Sequence, residues 1–234
     1  SKLILREGNL MGDIALFTSV GLDYLFRWGH FMAGITWIGV LYYFNFIQGE
    51  YFKEAEDAHR SGAIQKLVPR ALWWFRWGAM FTFLTGVVLL GYRHAGLTYD
   101  ITVGATLGTL MFLNVWLVIW PAQKIVIASA TQVAHGGEAL PEAAGAAPKA
   151  ALASRTNVLF SAPMLFFMGS SAHLGGNGLV IDASPVGLGV VLLLILALEG
   201  NALFGKQGPM TKVSGVIGCS LGLTAVLYGL MVTL

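Results

Sequence analysis

Six continuous apolar stretches, each about long enough to cross a bilayer, leave this chain few folds to choose from. They run near Leu22–Ile47, Ala71–Tyr92, Ile101–Trp120, Thr156–His173, Ser184–Phe204 and Val213–Leu234. A spanning helix needs about 20 apolar residues at 1.5 Å rise to cross roughly 30 Å of hydrocarbon. The runs are unbroken instead of alternating over about ten residues, which predicts helices and excludes barrel strands. Hydrophobic residues make up 56% of the chain and charged residues 11%, with a mean hydropathy of +0.71. That leaves too little polar surface to coat a soluble globule. The expected fold is all-α, a polytopic membrane bundle of six transmembrane helices, with residues 1–234 forming one membrane domain.

Charge sets the expected orientation. If six helices alternate, one side holds the first, third and fifth connections. It carries Lys53, Arg60, Lys66, Arg70, Lys124, Lys149, Arg155, Lys206 and Lys212, whereas the other side carries Lys2, Arg6 and Arg93. Nine against three places the first set in the cytoplasm by the positive-inside rule. Residues 48–70 and 122–155 are then cytoplasmic loops, residues 1–21 form a periplasmic segment, and both termini are periplasmic in a bacterial inner membrane. Glu50–Gln65 reads as a short polar helix and Gly136–Pro148 as a mobile Ala/Gly/Pro-rich linker. Lys2–Asp13 lacks the apolar core and cleavage site of a secretory signal, so no removed leader is expected. The net charge of +2 comes with no basic patch with interleaved aromatics, which gives no reason to invoke nucleic acid. The single cysteine, Cys219, excludes an intrachain disulfide and the C-x-x-C-H attachment signal of c-type haem.

Threading brings three of five histidines to one membrane face: His30 about 12 Å below the start of the first helix, and His94 and His173 where the second and fourth helices emerge. Intramembrane imidazoles face a partner, a cavity or a metal. Haem b takes neutral imidazole ligands oriented by a second hydrogen bond. Around His30, Gly34 one turn deeper leaves clearance for a flat macrocycle, and Arg27 one turn outward suits a propionate in bidentate geometry. His30 is the expected iron ligand, with either His173 or His94 as the second. The competing reading has His30 bonding across helices, His94 exposed in a loop and His173 capping a helix. His59 and His135 are read as solvated, and Met164 and Met168 as packing residues.

A second polar group, Asn45, Arg76, Asn114, Asn157, Glu199 and Asn201, falls in the cytoplasmic half. Arg76 and Glu199 are expected to form an ion pair, and Arg76, Asn114, Asn157 and Glu199 a polar pocket for a quinone head group or a proton path. Trp28, Trp73, Trp74, Trp77 and Trp120 fit interfacial belts. Gly104-x-x-x-Gly108 and Gly218-x-x-x-Gly222 permit close helix contact.

Three runs carry a family resemblance. Arg27-Trp28-Gly29-His30-Phe31-Met32-Ala33-Gly34-Ile35-Thr36-Trp37-Ile38-Gly39 with Tyr42–Phe46, then Asn114–Lys124, then Ser154–Asn157 continuing through Pro163–Met168 to His173, resemble membrane-bound urate oxidases, also called urate hydroxylases. The resemblance spans roughly Leu22 to His173 and weakens over the last two helices. It implies a bacterial inner-membrane bundle followed by a cytochrome c domain that carries electrons from urate towards a terminal oxidase. This chain has no haem c motif, so a separate cytochrome or subunit is expected to accept the electrons. The resulting expectation is a membrane redox protein with haem b near the periplasmic face, exchanging electrons with a cytochrome c or quinone. The alternative is a cofactor-free accessory subunit of a larger respiratory or oxygenase complex. A transporter would call for inverted repeats or interrupted helices, and no convincing pair occurs.

Overall fold

The computed structural model describes residues 15–93, 96–174, 178–179 and 184–234. Within them the chain is all helical, with no strand. Seven helices account for most of it: α1 (Ser19–Glu54), α2 (Asp57–Lys66), α3 (Val68–Arg93), α4 (Tyr99–Ala134), α5 (Ala143–His173), α6 (Pro185–Phe204) and α7 (Val213–Thr233). Five of them, α1, α3, α4, α6 and α7, are long and apolar enough to cross a membrane. These helices contain the expected apolar runs; the fourth run, Thr156–His173, lies in α5.

Three helices outrun their apolar cores. α1 continues to Glu54, so the expected polar helix over Glu50–Gln65 divides into the tail of α1 and the separate α2. α4 continues to Ala134 and α5 begins at Ala143, which makes the 122–155 connection mostly helix. Alanines at 143, 144, 146, 147, 150 and 151 supply enough propensity to carry that stretch through Gly145 and Pro148. Ala122 of α4 meets Ala146 and Ala150 of α5 in a small apolar cluster of their own. α1 and α4 each contain one π-helical turn, Tyr43–Gln48 and Asn114–Ile119. Pro121, which lacks a backbone N–H, follows the second directly.

α5 is the hub. It packs on α1, α4, α6 and α7, and sixteen of its 31 residues are buried. Surrounded by protein instead of lipid, it tolerates Ser, Thr and Asn that neighbouring helices satisfy. Pro163 lies inside it and cannot donate to the Leu159 carbonyl. Ser220 of α7 takes over, its Oγ 2.8 Å from Leu159 O and 3.0 Å from Val158 O. This is how membrane bundles repair a proline-broken ladder.

Glycines set the closest helix approaches. A Cβ on Gly104 would lie 3.1 Å from Met168 N, and one on Gly108 3.4 Å from Met164 Sδ, so this pair does bring α4 onto α5. Added Cβ atoms at Gly218 and Gly222 would meet nothing within 4 Å, so this pair marks no close helix approach among the described residues. Gly78 of α3 sits against the α1 backbone, where a Cβ would fall 3.1 Å from Trp37 N.

Candidate functional site

Four helices, α1, α3, α4 and α5, leave a cleft of about 580 Å³ between them. That is the size of a site for a small molecule or cofactor. Its lining is mostly apolar and runs from Arg27 to Tyr42 along α1, a depth of about 22 Å at 1.5 Å per residue. At the mouth stand Arg27, His30, Arg93 and His173; Trp37, Gly39, Tyr42, Gly108 and Met164 lie deeper. The structure thus gathers four of the expected site residues, Arg27, His30, Gly34 and His173, around one cavity. His94 lies outside the described residues.

His30 is held by α3. Its Nδ1 is 3.1 Å from Thr85 Oγ1, while that hydroxyl is 2.6 Å from Phe81 O and 3.0 Å from Thr82 O. The single Thr85 proton goes to the carbonyls, so the hydroxyl accepts from His30 Nδ1–H and the lone pair of the imidazole is left on Nε2. A metal ligand needs this tautomer with this kind of outer support. Gly86 fits the ring closely: a Cβ there would lie 3.2 Å from His30 Cε1. Elsewhere glycine leaves space. Added Cβ atoms at Gly39 and Gly169 would meet nothing within 4 Å, and one at Gly34 only Thr82 Cγ2 at 4.0 Å. Trp37 is 2% exposed, and its Nε1–H has no acceptor among the described residues.

The mouth is braced from both sides. Arg27 pairs with Asp23, Nε to Oδ2 at 2.6 Å and Nη2 to Oδ1 at 3.3 Å. Arg93 donates from Nη1 to Ser171 Oγ at 2.8 Å and from Nη2 to Ser171 O at 3.3 Å, and Thr98 Oγ1 lies 2.8 Å from the same Ser171 hydroxyl. Beside it the fully buried Asp100 accepts from Ser170 Oγ and, at 2.8 Å, from Leu179 N. Gly178, at φ +72, comes so close to Asp100 that a side chain would collide with its carboxylate. Consecutive serines near the end of α5 thereby anchor the turn that presents His173. Thr85, Gly86, Arg93 and Asp100 were not singled out by sequence. Arg93 entered only as a topology charge, and only the Thr98-x-Asp100 helix start gave any local signal.

The second polar group does not form one pocket. Asn114 donates from Nδ2 to both Asn157 Oδ1 at 3.0 Å and Glu199 Oε2 at 3.1 Å, and Asn157 donates to Met111 O at 3.0 Å. The expected Arg76–Glu199 ion pair is absent from the described ion pairs. Arg76 instead donates from Nε to Leu72 O at 3.3 Å and lays its guanidinium 3.4 Å from the centre of the Trp120 ring. α4 separates the two charges. It turns Asn114 towards Glu199 and Trp116, two residues on and nearly opposite, towards α3, where its ring lies 5.6 Å from the Arg76 guanidinium. Asn45 bonds Ser154 Oγ at 2.8 Å and stitches α1 to α5. Asn201 closes the turn after α6 through Lys206. Arg155, counted with the loop charges, is 8% exposed on α5.

Residues 94–197 match the family described as urate oxidase N-terminal. Over that stretch, which is less than half of the chain, the similarity is to the N-terminal region of urate oxidases. The match takes in α4, α5 and most of α6, hence Asn114–Lys124, Ser154–Asn157 and Pro163–His173. It leaves α1 and α3, with Arg27, His30 and Gly34, outside, and it reaches further into α6 than the resemblance read from sequence. No curated protein and no solved structure matches the chain significantly.

Proposed function

We propose that this urate oxidase-like chain is a redox protein of the bacterial inner membrane that binds haem b in the four-helix cleft and exchanges electrons with a cytochrome c or a quinone. In its family-implied form the electrons come from urate. The membrane arrangement belongs to the same proposal: α5 is the sixth span, both termini are periplasmic, and the cleft mouth opens to the periplasmic side. The nine-to-three division of Lys and Arg supports that orientation.

The observation that carries the redox reading is His30 in its cavity. Thr85 fixes the tautomer that leaves Nε2 free, the cavity is apolar and ligand-sized, and glycines line it where a Cβ would fill space. Haem b, when bound, would supply one-electron transfer at a potential set by the residues that hold it and by burial. His30 would hold the iron, with Thr85 orienting the ring and Gly86 giving it room. His173 supplies the second imidazole, with His94 the alternative. Arg27, which lines the same cavity as His173, would take a propionate. The apolar walls from Phe31 to Met168 exclude water from the site.

The test is the absorption spectrum of the purified protein, oxidised and then reduced, from cells with full haem supply. A Soret band that sharpens on reduction is expected, and its absence sinks the redox reading. A cofactor-free accessory subunit is the second reading. It is favoured by the Thr85 bond, which already gives His30 a protein partner across helices. Stable co-purification with other membrane subunits, without haem, is its signature.

A further inference from the structure

We propose that the mouth of the cleft is a two-arginine seat, Arg27 with Arg93, which grips the carboxylate end of an amphipathic ligand whose apolar body fills the cavity. Identifying that ligand as haem b, and the carboxylates as its two propionates, rests on the redox reading above. The seat itself follows from charge and geometry at the mouth.

Both arginines line the same cavity, although they come from different helices, α1 and α3. Arg93 lies within electrostatic reach of both Arg27 and Asp23. Asp23 is paired with Arg27, and Arg93 bonds no carboxylate among the described residues. Among the described residues no Asp or Glu lines the cleft, and the nearby Asp100 is turned to Ser170 and Leu179. Like charges held together at the end of an apolar cavity repel each other unless an anion lies between them.

Each arginine is held in place and still has hydrogens to give. Arg27 is gripped along its Nε–Nη2 edge by Asp23, which leaves Nη1 without a partner among the described residues. Arg93 is fixed by Ser171, itself braced by Thr98, and its Nε makes no bond among the described residues. Orienting partners of this kind lower the cost of binding, and the planar guanidinium suits carboxylate oxygens better than an ammonium does. Below the seat the walls turn apolar over about two helical turns, at Phe31, Ile35 and Val87. An anionic head over an apolar body is the shape this gradient selects.

The full-length chain, purified in detergent and stripped of haem, is titrated with ferric haem b and separately with its dimethyl ester, following the Soret change. The free diacid should bind about tenfold tighter or more than the diester, as expected for charge-assisted hydrogen bonds. Arg93→Gln and Arg27→Gln should each shrink that preference several-fold, and Arg93→Lys should recover part of it. Ser171→Ala removes the brace without removing charge. It should loosen both ligands alike, which separates a lost anchor from a lost charge. Size-exclusion profiles show whether each variant is folded. Equal binding of diacid and diester by the wild type, or an Arg93→Gln protein that keeps the full preference, overturns the seat.

If neither porphyrin binds, the redox reading fails and the seat is tested with a lipid. Oleate and oleyl alcohol then compete against a fluorescent fatty acid. A preference for oleate that falls in Arg93→Gln supports the seat, and no preference overturns it.

Discussion

The two polar regions of this bundle are built in opposite ways. In the Asn114–Asn157–Glu199 group, side chains from α4, α5 and α6 turn inward and bond one another, with Met111 O fixing the direction of the chain of donors. At the other end His30, Arg27, Arg93 and His173 come to the edge of a void. The first region spends its hydrogen bonds on holding helices together. The second is braced from behind by Thr85, Asp23 and Ser171 and leaves donors and a lone pair without a partner among the described residues. Intramembrane polarity alone does not separate a fastening from a site. What separates them is whether the groups satisfy each other or face a cavity.

Substitutions can break that contrast, the largest effect coming from the cleft. His30→Ala should abolish the Soret band, while Glu199→Gln, of similar size and still able to accept from Asn114, should leave haem content unchanged; a pyridine haemochrome assay reads both. Loss of haem in both proteins would erase the distinction. Asn114→Leu should do the reverse. It leaves the Glu199 carboxyl and Asn157 Oδ1 buried without their donor, costing about 2 kcal/mol of stability, so thermal unfolding should shift while any haem spectrum of the folded protein stays as in the wild type. Gly86→Ala sharpens the cleft side: a methyl 3.2 Å from His30 Cε1 must push the ring aside, at about 1 kcal/mol for overpacking. Haem retention on gel filtration should fall several-fold. Smallest is Ser220→Ala, which removes the donor to the Leu159 carbonyl and should cost about 0.6 kcal/mol, at most about 1.7, in detergent unfolding, the range of single interhelical bonds.

The apolar runs located the cores of all six long helices, because hydropathy over about 20 residues reports where lipid is. They did not show how far the helices continue. Beyond the lipid-facing stretch, α4 and α5 are carried on by Ala-rich, mixed sequence that hydropathy reads as a loop. α5 is the long helix that is not apolar enough to count among the five candidate spans, because it carries Ser, Thr, Asn and Arg on a face buried against the other helices.

Depth was legible and azimuth was not. Threading put Arg76 and Glu199 at one level, but a helix turns 100° per residue, and α4 came to lie between them. His30, Arg27 and His173 were found because depth and chemistry agreed. Gly86 and Thr85 were missed because a small residue and a hydroxyl in an apolar helix have meaning only once the facing histidine is known. Arg93 was missed for another reason: a charge at a helix end already had an explanation in topology.

The bond from Ser220 to the carbonyls around Pro163 has a bearing on how the chain is assembled. α5 leaves the ribosome with that carbonyl uncovered, and the serine that covers it arrives roughly two helices later. Until then the hub is an unfinished helix, and the arrival of α7 closes the ladder that Pro163 leaves open.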